Sequence, residues 1–284
     1  MPDRGAVMLP KDLIVFIEEP QGRDARLAHA AALAQAWGAH LIATFVVDRL
    51  ELDPHAGFAT GSGLADMLKH HDLEVGEAMQ QARQAFEREL QRRQISGEWR
   101  VSEGEVGEAL MLHARHASLA VIGPSRPDPR RATTLGLSRD LIFASGRPTL
   151  LLPIDWPVER SARRIVVGWN ASREATRAIA DAMPFLVGAN EVHLVVVPEA
   201  NGGAYGHEPG ADMARHLVRY GVPVVLEQCE GVDAGAVLLE RCSALGADLL
   251  VMGAVGRSRI SEFVFGGATH SVLERAALPL LLSR

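Results

Sequence analysis

Short runs that are apolar at consecutive positions alternate with longer segments whose apolar residues recur every three or four positions. The runs at 12–19, 40–47, 119–123 and 147–152 belong to the first kind, as do 164–170, 191–197, 247–251 and 278–282. A strand of a parallel sheet, covered on both faces, has this composition, whereas a half-exposed strand alternates. Helical spacing is clearest at 76–94, where Ala78, Met79, Ala82, Ala85, Phe86 and Leu90 share one face. Glu87, Arg88, Glu89, Arg92 and Arg93 fall on the solvated remainder of that helix. Strands alternating with helices predict an α/β fold. Right-handed crossovers then favour a doubly wound parallel sheet whose strand order reverses beside its first strand.

The pattern occurs twice. Each half opens on a β-like run (12–19, 164–170), continues through a helix ending near a glycine (Gly38, Gly188), and enters a second apolar strand. Each later has a strand ending in glycine (Gly123, Gly253) and closes on a Pro-led leucine strand at Pro148 or Pro279. Gly253 follows Gly123 by 130 positions and Pro279 follows Pro148 by 131, while Ile165 follows Ile14 by 151. The first half therefore carries about twenty extra residues between its second and third strands, at 53–63 and in the long polar helix 64–94. Two homologous domains of about five strands each are expected, at 1–155 and 156–284, divided near Ile154, Asp155, Trp156 and Pro157.

Candidate chemistry concentrates in the second half. The run 247–251 leads into Met252, Gly253, Ala254, Val255, Gly256, Arg257 and Ser258. A second small-residue cluster, Gly266, Gly267, Ala268 and Thr269, opens a helix. Glycines at a strand exit let main chain approach a ligand, and a helix start offers N–H groups at the positive end of its dipole. In a doubly wound sheet, this exit and the first-strand exit (Gly168, Trp169, Asn170) meet at the order reversal, where ligands sit. No Gly-Lys-Ser/Thr ending is present, so this is not a P-loop. In the first half Gly123 is followed by 124–131, where Pro124, Pro127 and Pro129 have no N–H to offer a phosphate. Glu18 and Glu19 put negative charge at that half's first-strand exit, opposed by Arg126, Arg130 and Arg131.

Composition removes several classes of function. A formal charge of -6 argues against nonspecific nucleic-acid or membrane-surface binding. No apolar run approaches the ~20 residues that span a bilayer, and the first residues lack a leader pattern. Cys229 and Cys242 have no metal-ligand spacing and read as reduced thiols of a cytoplasmic protein. His113 and His116, one turn apart, have no third ligand; His70 and His71 read as solvated, and His270 as a first-turn residue. No metal site and no catalytic residue emerge.

On these residues the chain resembles the universal stress protein family in its tandem two-domain form. Gly253, Gly256 and Gly266 match the family's spacing of Gly, two residues, Gly, nine residues, Gly, and the run from Arg257 and Ser258 to Phe265 resembles its intervening loop. Gly267 stands where the family has Ser or Thr, with Thr269 two positions on, and Asn170 stands where many members have Asp. The resemblance implies two Rossmann-like, adenine nucleotide alpha hydrolase-like sheets packed as a pseudo-dimer, with the final strands (149–152 and 280–283) paired. It also implies ATP, with or without Mg, in the second half. Adenine would lie near Gly168, Trp169, Asn170 and Val196, where Asn170 donates or accepts toward the base. Ribose and phosphates would run over Met252, Gly253, Gly256, Arg257 and Ser258 onto the amides of Gly266, Gly267, Ala268 and Thr269. The first half is a degenerate partner. The implied function is stress-response regulation, with homo-oligomers and an unidentified protein partner. The alternatives are a module that binds no nucleotide and a slow ATPase using Ser258, Glu262 or His270.

Overall fold

The structure, a computed structural model, describes residues 8–17, 25–47, 62–102, 106–123, 142, 144–153, 156–158, 162–198, 208–254, 256–257, 264–265 and 267–284. The apolar runs form the central strands of one sheet. In chain order the first half supplies β1 (Asp12–Ile17), β2 (His40–Val46), β3 (Gly97–Ser102), β4 (Leu119–Ile122) and β5 (Thr149–Leu151). The second half supplies β6 (Arg164–Trp169), β7 (Glu191–Val196), β8 (Val224–Gln228), β9 (Leu249–Gly253) and β12 (Leu280–Ser283). Two further strands, β10 (Gly256–Arg257) and β11 (Val264–Phe265), pair only with each other.

The order across the main sheet is β3-β2-β1-β4-β5-β12-β9-β6-β7-β8. Each half is thus a five-stranded parallel sheet whose order reverses beside its first strand, as the alternation predicts. The two sheets are fused into one ten-stranded sheet by the antiparallel pair β5–β12, with Leu281 opposite Leu150 and Leu282 opposite Thr149. Pairing of the final strands, implied by the resemblance, is therefore present inside the chain. It covers two edges whose unpaired amides and carbonyls would otherwise be exposed.

Alternate residues of β1 feed two cores. Leu13 and Val15 pack with α1 (Arg26–Trp37), α2 (Ser62–Arg93), α4 (Arg173–Leu186) and α5 (Ala211–Arg219) on one face. Ile14 and Phe16 join the core with α3 (Val106–Arg115), α6 (Ala234–Leu245) and α7 (Gly267–Arg275) on the other. The long helix α2 buries Ala82 and Phe86, and its Arg83–Glu87 and Arg92–Glu89 pairs lie on the solvated side. Gly38 ends α1 in the left-handed conformation at φ 62°, while the second half's equivalent helix ends on Val187 with ordinary dihedrals. The halves also touch away from the sheet: Trp37 meets Phe185 edge-on with ring centroids 4.9 Å apart, and His29 Nε2 lies 3.1 Å from the carbonyl of buried Trp156. Ile154 and Asp155, at the expected boundary, lie outside the described residues.

Candidate functional site

At the carboxyl edge of the second half, the ends of neighbouring strands β6 and β9 meet the starts of α4, α6 and α7. Asn170 leaves β6 exposed to solvent, and its Oδ1 accepts from the Ser172 amide at 3.2 Å and the Ser172 hydroxyl at 2.7 Å. Ser172 Oγ in turn accepts from the Ala175 amide at 3.1 Å and caps α4. Because a main-chain N–H can only donate, the side-chain oxygen of Asn170 must face inward, and its Nδ2 group is what remains for a ligand. The sequence left Asn170 free to donate or accept; the turn leaves it a donor only. Ala171 between them takes the left-handed conformation at φ 55°, which is strained for a residue with a Cβ.

Gly253 and Gly168 have packing reasons to be glycine. A Cβ on Gly253 would lie 2.5 Å from the Ala175 nitrogen and the Glu174 carbonyl carbon, so the first turn of α4 rests directly on the end of β9. A Cβ on Gly168 would meet Leu238 Cδ1 of α6 at 2.8 Å. Met252 and Val196 are buried, and the Val196 carbonyl accepts from the Cys229 amide at 2.9 Å. Val196 lies under Gly210, whose own Cβ would come within 2.9 Å of it and 3.6 Å of Trp169. β10 and β11 set Gly256 opposite Phe265 and Arg257 opposite Val264, which carries the chain from the β9 exit to the start of α7. Ser258, Glu262 and Gly266 lie outside the described residues.

Helix α7 begins at Gly267, within the small-residue cluster expected to open it. Gly267 is exposed, with open space where a Cβ would project, whereas Thr269 is buried. The starts of α6 and α7 are in main-chain contact: a Cβ on Gly235 would meet the Ala268 carbonyl oxygen at 2.5 Å. Asp233 ties them. Its Oδ1 accepts from the amides of Gly235 and Ala236, and its Oδ2 from the Ser271 hydroxyl at 2.8 Å and Arg275 Nη2 at 2.6 Å. Three helix starts thus converge on one edge, and the first amides of a helix have no intrahelical acceptor. Asp233 escaped the sequence reading, although an Asp just before the apolar helix 234–245 is an N-cap signature.

The Ser271 hydroxyl, helped by the Ala236 amide and Arg275 and opposed by partial burial, holds the Asp233 carboxyl below its ordinary range. A depressed native value stabilises the fold above the unfolded carboxyl's value of about 4 and stops doing so as pH falls through the native one. Asp233→Asn is therefore expected to be less stable than the parent at pH 7, with the gap narrowing as pH falls below the unfolded carboxyl's value of about 4. Urea titrations at pH 7 and in acid measure it.

The first half arranges its strand exit differently. A Cβ on Gly123 would lie 2.7 Å from Cδ and 2.8 Å from Nε of Arg26, a buried residue opening α1. A side chain packs there where the second half packs helix backbone. Glu18, Glu19 and 124–131, with Arg126, Arg130 and Arg131, lie outside the described residues.

Other candidates stay ordinary. A recess of about 200 Å³ lies at the opposite, amino edge of the sheet, lined by Arg163, Arg164, Asn190, Glu191, Gly246 and Asp248. Its charges are spent on one another: Asp248 accepts from the amides of Arg163 and Arg164, and Arg164 pairs with Glu191. Burial, then Arg100 and His116, keep His113 below the usual histidine value. Exposed His270 pairs with Glu274, and His70 with Glu74. Burial pushes the Cys242 thiol up to about 12 and raises that of Cys229, so neither is an activated nucleophile. Among the described residues no helix is long and apolar enough to cross a membrane, and no cluster of three His, Cys, Asp or Glu could hold a metal.

The family model described as the universal stress protein family matches residues 161–284. Over the whole chain the fold is similar to that of a universal stress protein from Archaeoglobus fulgidus DSM 4304. That likeness has 17% identity and a TM-score of 0.72, and covers 96% of each chain. A putative universal stress protein from Pseudomonas aeruginosa UCBPP-PA14 is similar at 17% identity and a TM-score of 0.61, over 96% of this chain and 93% of its own. No curated protein matches. Residues 161–284 therefore match the universal stress protein family, and the fold along the whole chain is similar to that of the tandem universal stress protein.

Proposed function

We propose that the protein is a cytoplasmic stress-response regulator that binds ATP at the carboxyl edge of its second domain, 156–284. The first domain, 1–155, is a partner that binds none. The observation carrying this reading is the convergence of the α4, α6 and α7 starts around the exits of β6 and β9, locked by backbone contacts at Gly253 and Gly235. An anion suits such a place because fixed amides and helix dipoles replace its water. The base would lie at Gly168, Trp169, Asn170 and Val196, and the phosphates would run toward Gly256, Arg257, Ser258, Gly266, Gly267, Ala268 and Thr269. The side-chain oxygen of Asn170 is engaged by Ser172, so Mg would ride on the phosphates.

Nucleotide released from denatured, freshly purified protein, identified by chromatography, tests the reading together with calorimetry against ATP. Adenine nucleotide in the extract or measurable ATP heat is expected. An empty extract with no heat at millimolar ATP would leave a module that binds none. A sharper expectation concerns Gly267→Ser, which puts back the family's hydroxyl where a Cβ meets nothing. One new hydrogen bond worth about 1 kcal/mol corresponds to ATP binding tighter by about fivefold. The helix should also gain a few tenths of a kcal/mol, since serine is the better helix former.

A further inference from the structure

We infer that Glu174 is a specificity-determining residue of this site: its carboxylate accepts from the ribose hydroxyls, so that the site selects ribonucleotides over deoxyribonucleotides. The inference rests on the nucleotide-binding reading above. Glu174 belongs to the first turn of α4, and its Cβ lies 2.8 Å from where a Cβ on Gly253 would be. It is thus in contact with the β9 exit. Its side chain is only 20% exposed, and its ion pair, to Arg173 at 3.5 Å, is with a side chain that is 96% exposed. Such a surface partner contributes little. A helix start does favour an acidic residue, but a fully solvated one would serve that purpose equally.

The surrounding chemistry narrows the role. Asn170 presents donors only, and both oxygens of Asp233 are occupied, so neither is an open acceptor at this edge. A carboxylate accepts and does not donate, and it repels phosphate. The ligand group it suits is uncharged and rich in O–H donors. A ribose diol between the base at β6 and the phosphates at α7 fits that description, with two hydroxyls for two oxygens. The two halves also keep the same tripeptide type here: Arg23-Asp24-Ala25 precedes Arg173-Glu174-Ala175 by 150 positions, the offset that relates Gly38 to Gly188. The residues before it differ, Pro20-Gln21-Gly22 against Asn170-Ala171-Ser172.

Affinities of the full chain for ATP, 2′-deoxy-ATP and 3′-deoxy-ATP, measured by calorimetry, provide the test, with Glu174→Ala and Glu174→Gln alongside. The parent should bind ATP at least about tenfold tighter than one or both deoxy forms, because a site built for a hydroxyl penalises its loss. In Glu174→Ala that ratio should fall to within about twofold, while affinity for the discriminated deoxy form stays near the parent's. Glu174→Gln, which keeps shape and one acceptor, should fall between them and covers the case in which the alanine variant does not fold. A purely structural role would weaken all three ligands alike and leave the ratio intact, and that result overturns the proposal. So does a parent that binds ATP and its deoxy forms equally. Both outcomes leave nucleotide binding standing; absence of all binding removes the broader reading and this one with it.

Discussion

Gly253→Ala is expected to destabilise the fold by about 3 kcal/mol, at the upper end of what one added core carbon does. The new Cβ would sit 2.5 Å from two main-chain atoms of α4, the Ala175 nitrogen and the Glu174 carbonyl carbon. Backbone in a capped first turn cannot rotate away as a side chain can. The Ser172 cap at 3.1 Å and the Asn170 turn would have to move with it. Gly168→Ala makes the comparison: its nearest neighbour at 2.8 Å is a methyl of Leu238, which has rotamers to use, so about 1 kcal/mol is expected. Urea unfolding of the two variants measures the difference. Equal losses would mean that α4 yields as easily as a leucine side chain. On the proposed function, ATP affinity should fall with Gly253→Ala, because the helix start facing the ligand is the part displaced.

That comparison shows where sequence reasoning reached and where it stopped. Central strands were legible because burial on both faces forces apolar residues at every position, as in Leu249–Gly253. The edge strands β3 and β8 carry Glu98, Arg100, Glu227 and Gln228, are half-exposed, and leave no continuous apolar run to find. The duplication was legible because strand exits must recur in order. The glycines of the candidate site are marked by their spacing, yet the packing reasons for two of them lie in partners about 80 and 70 positions away, Ala175 and Leu238. No local pattern encodes that. Asn170 is a similar case: which end of its amide faces a ligand is decided by the Ser172 amide, a consequence of the turn rather than of residue type. Arg26 over Gly123 was missed for the same reason, since the first half kept its glycine while changing what rests on it.

Leu281→Ala is expected to remove about 3 kcal/mol, and the form of the loss says more than its size. Leu281 is fully buried at the seam, opposite Leu150 across the antiparallel pair and beside Val251 on its parallel side. Truncating it leaves a cavity against strands from both halves, which the close-packed sheet can only partly fill. If the ten strands are one cooperative unit, the variant unfolds in a single transition at lower urea, with circular dichroism and tryptophan fluorescence still coincident. Tryptophans report on both halves, with Trp37 and Trp99 in the first and Trp156 and Trp169 in the second. Two transitions, with only the second half's shifted, would mean that β5–β12 joins two independently stable sheets. Contacts off the sheet favour the single unit. The Trp37–Phe185 pair contributes about 1 kcal/mol beyond its burial, and the His29 contact with the Trp156 carbonyl fixes the start of the linker against α1. The seam strand β12 also runs beside β9, whose exit holds Gly253, so loosening the seam is expected to loosen the proposed nucleotide edge as well.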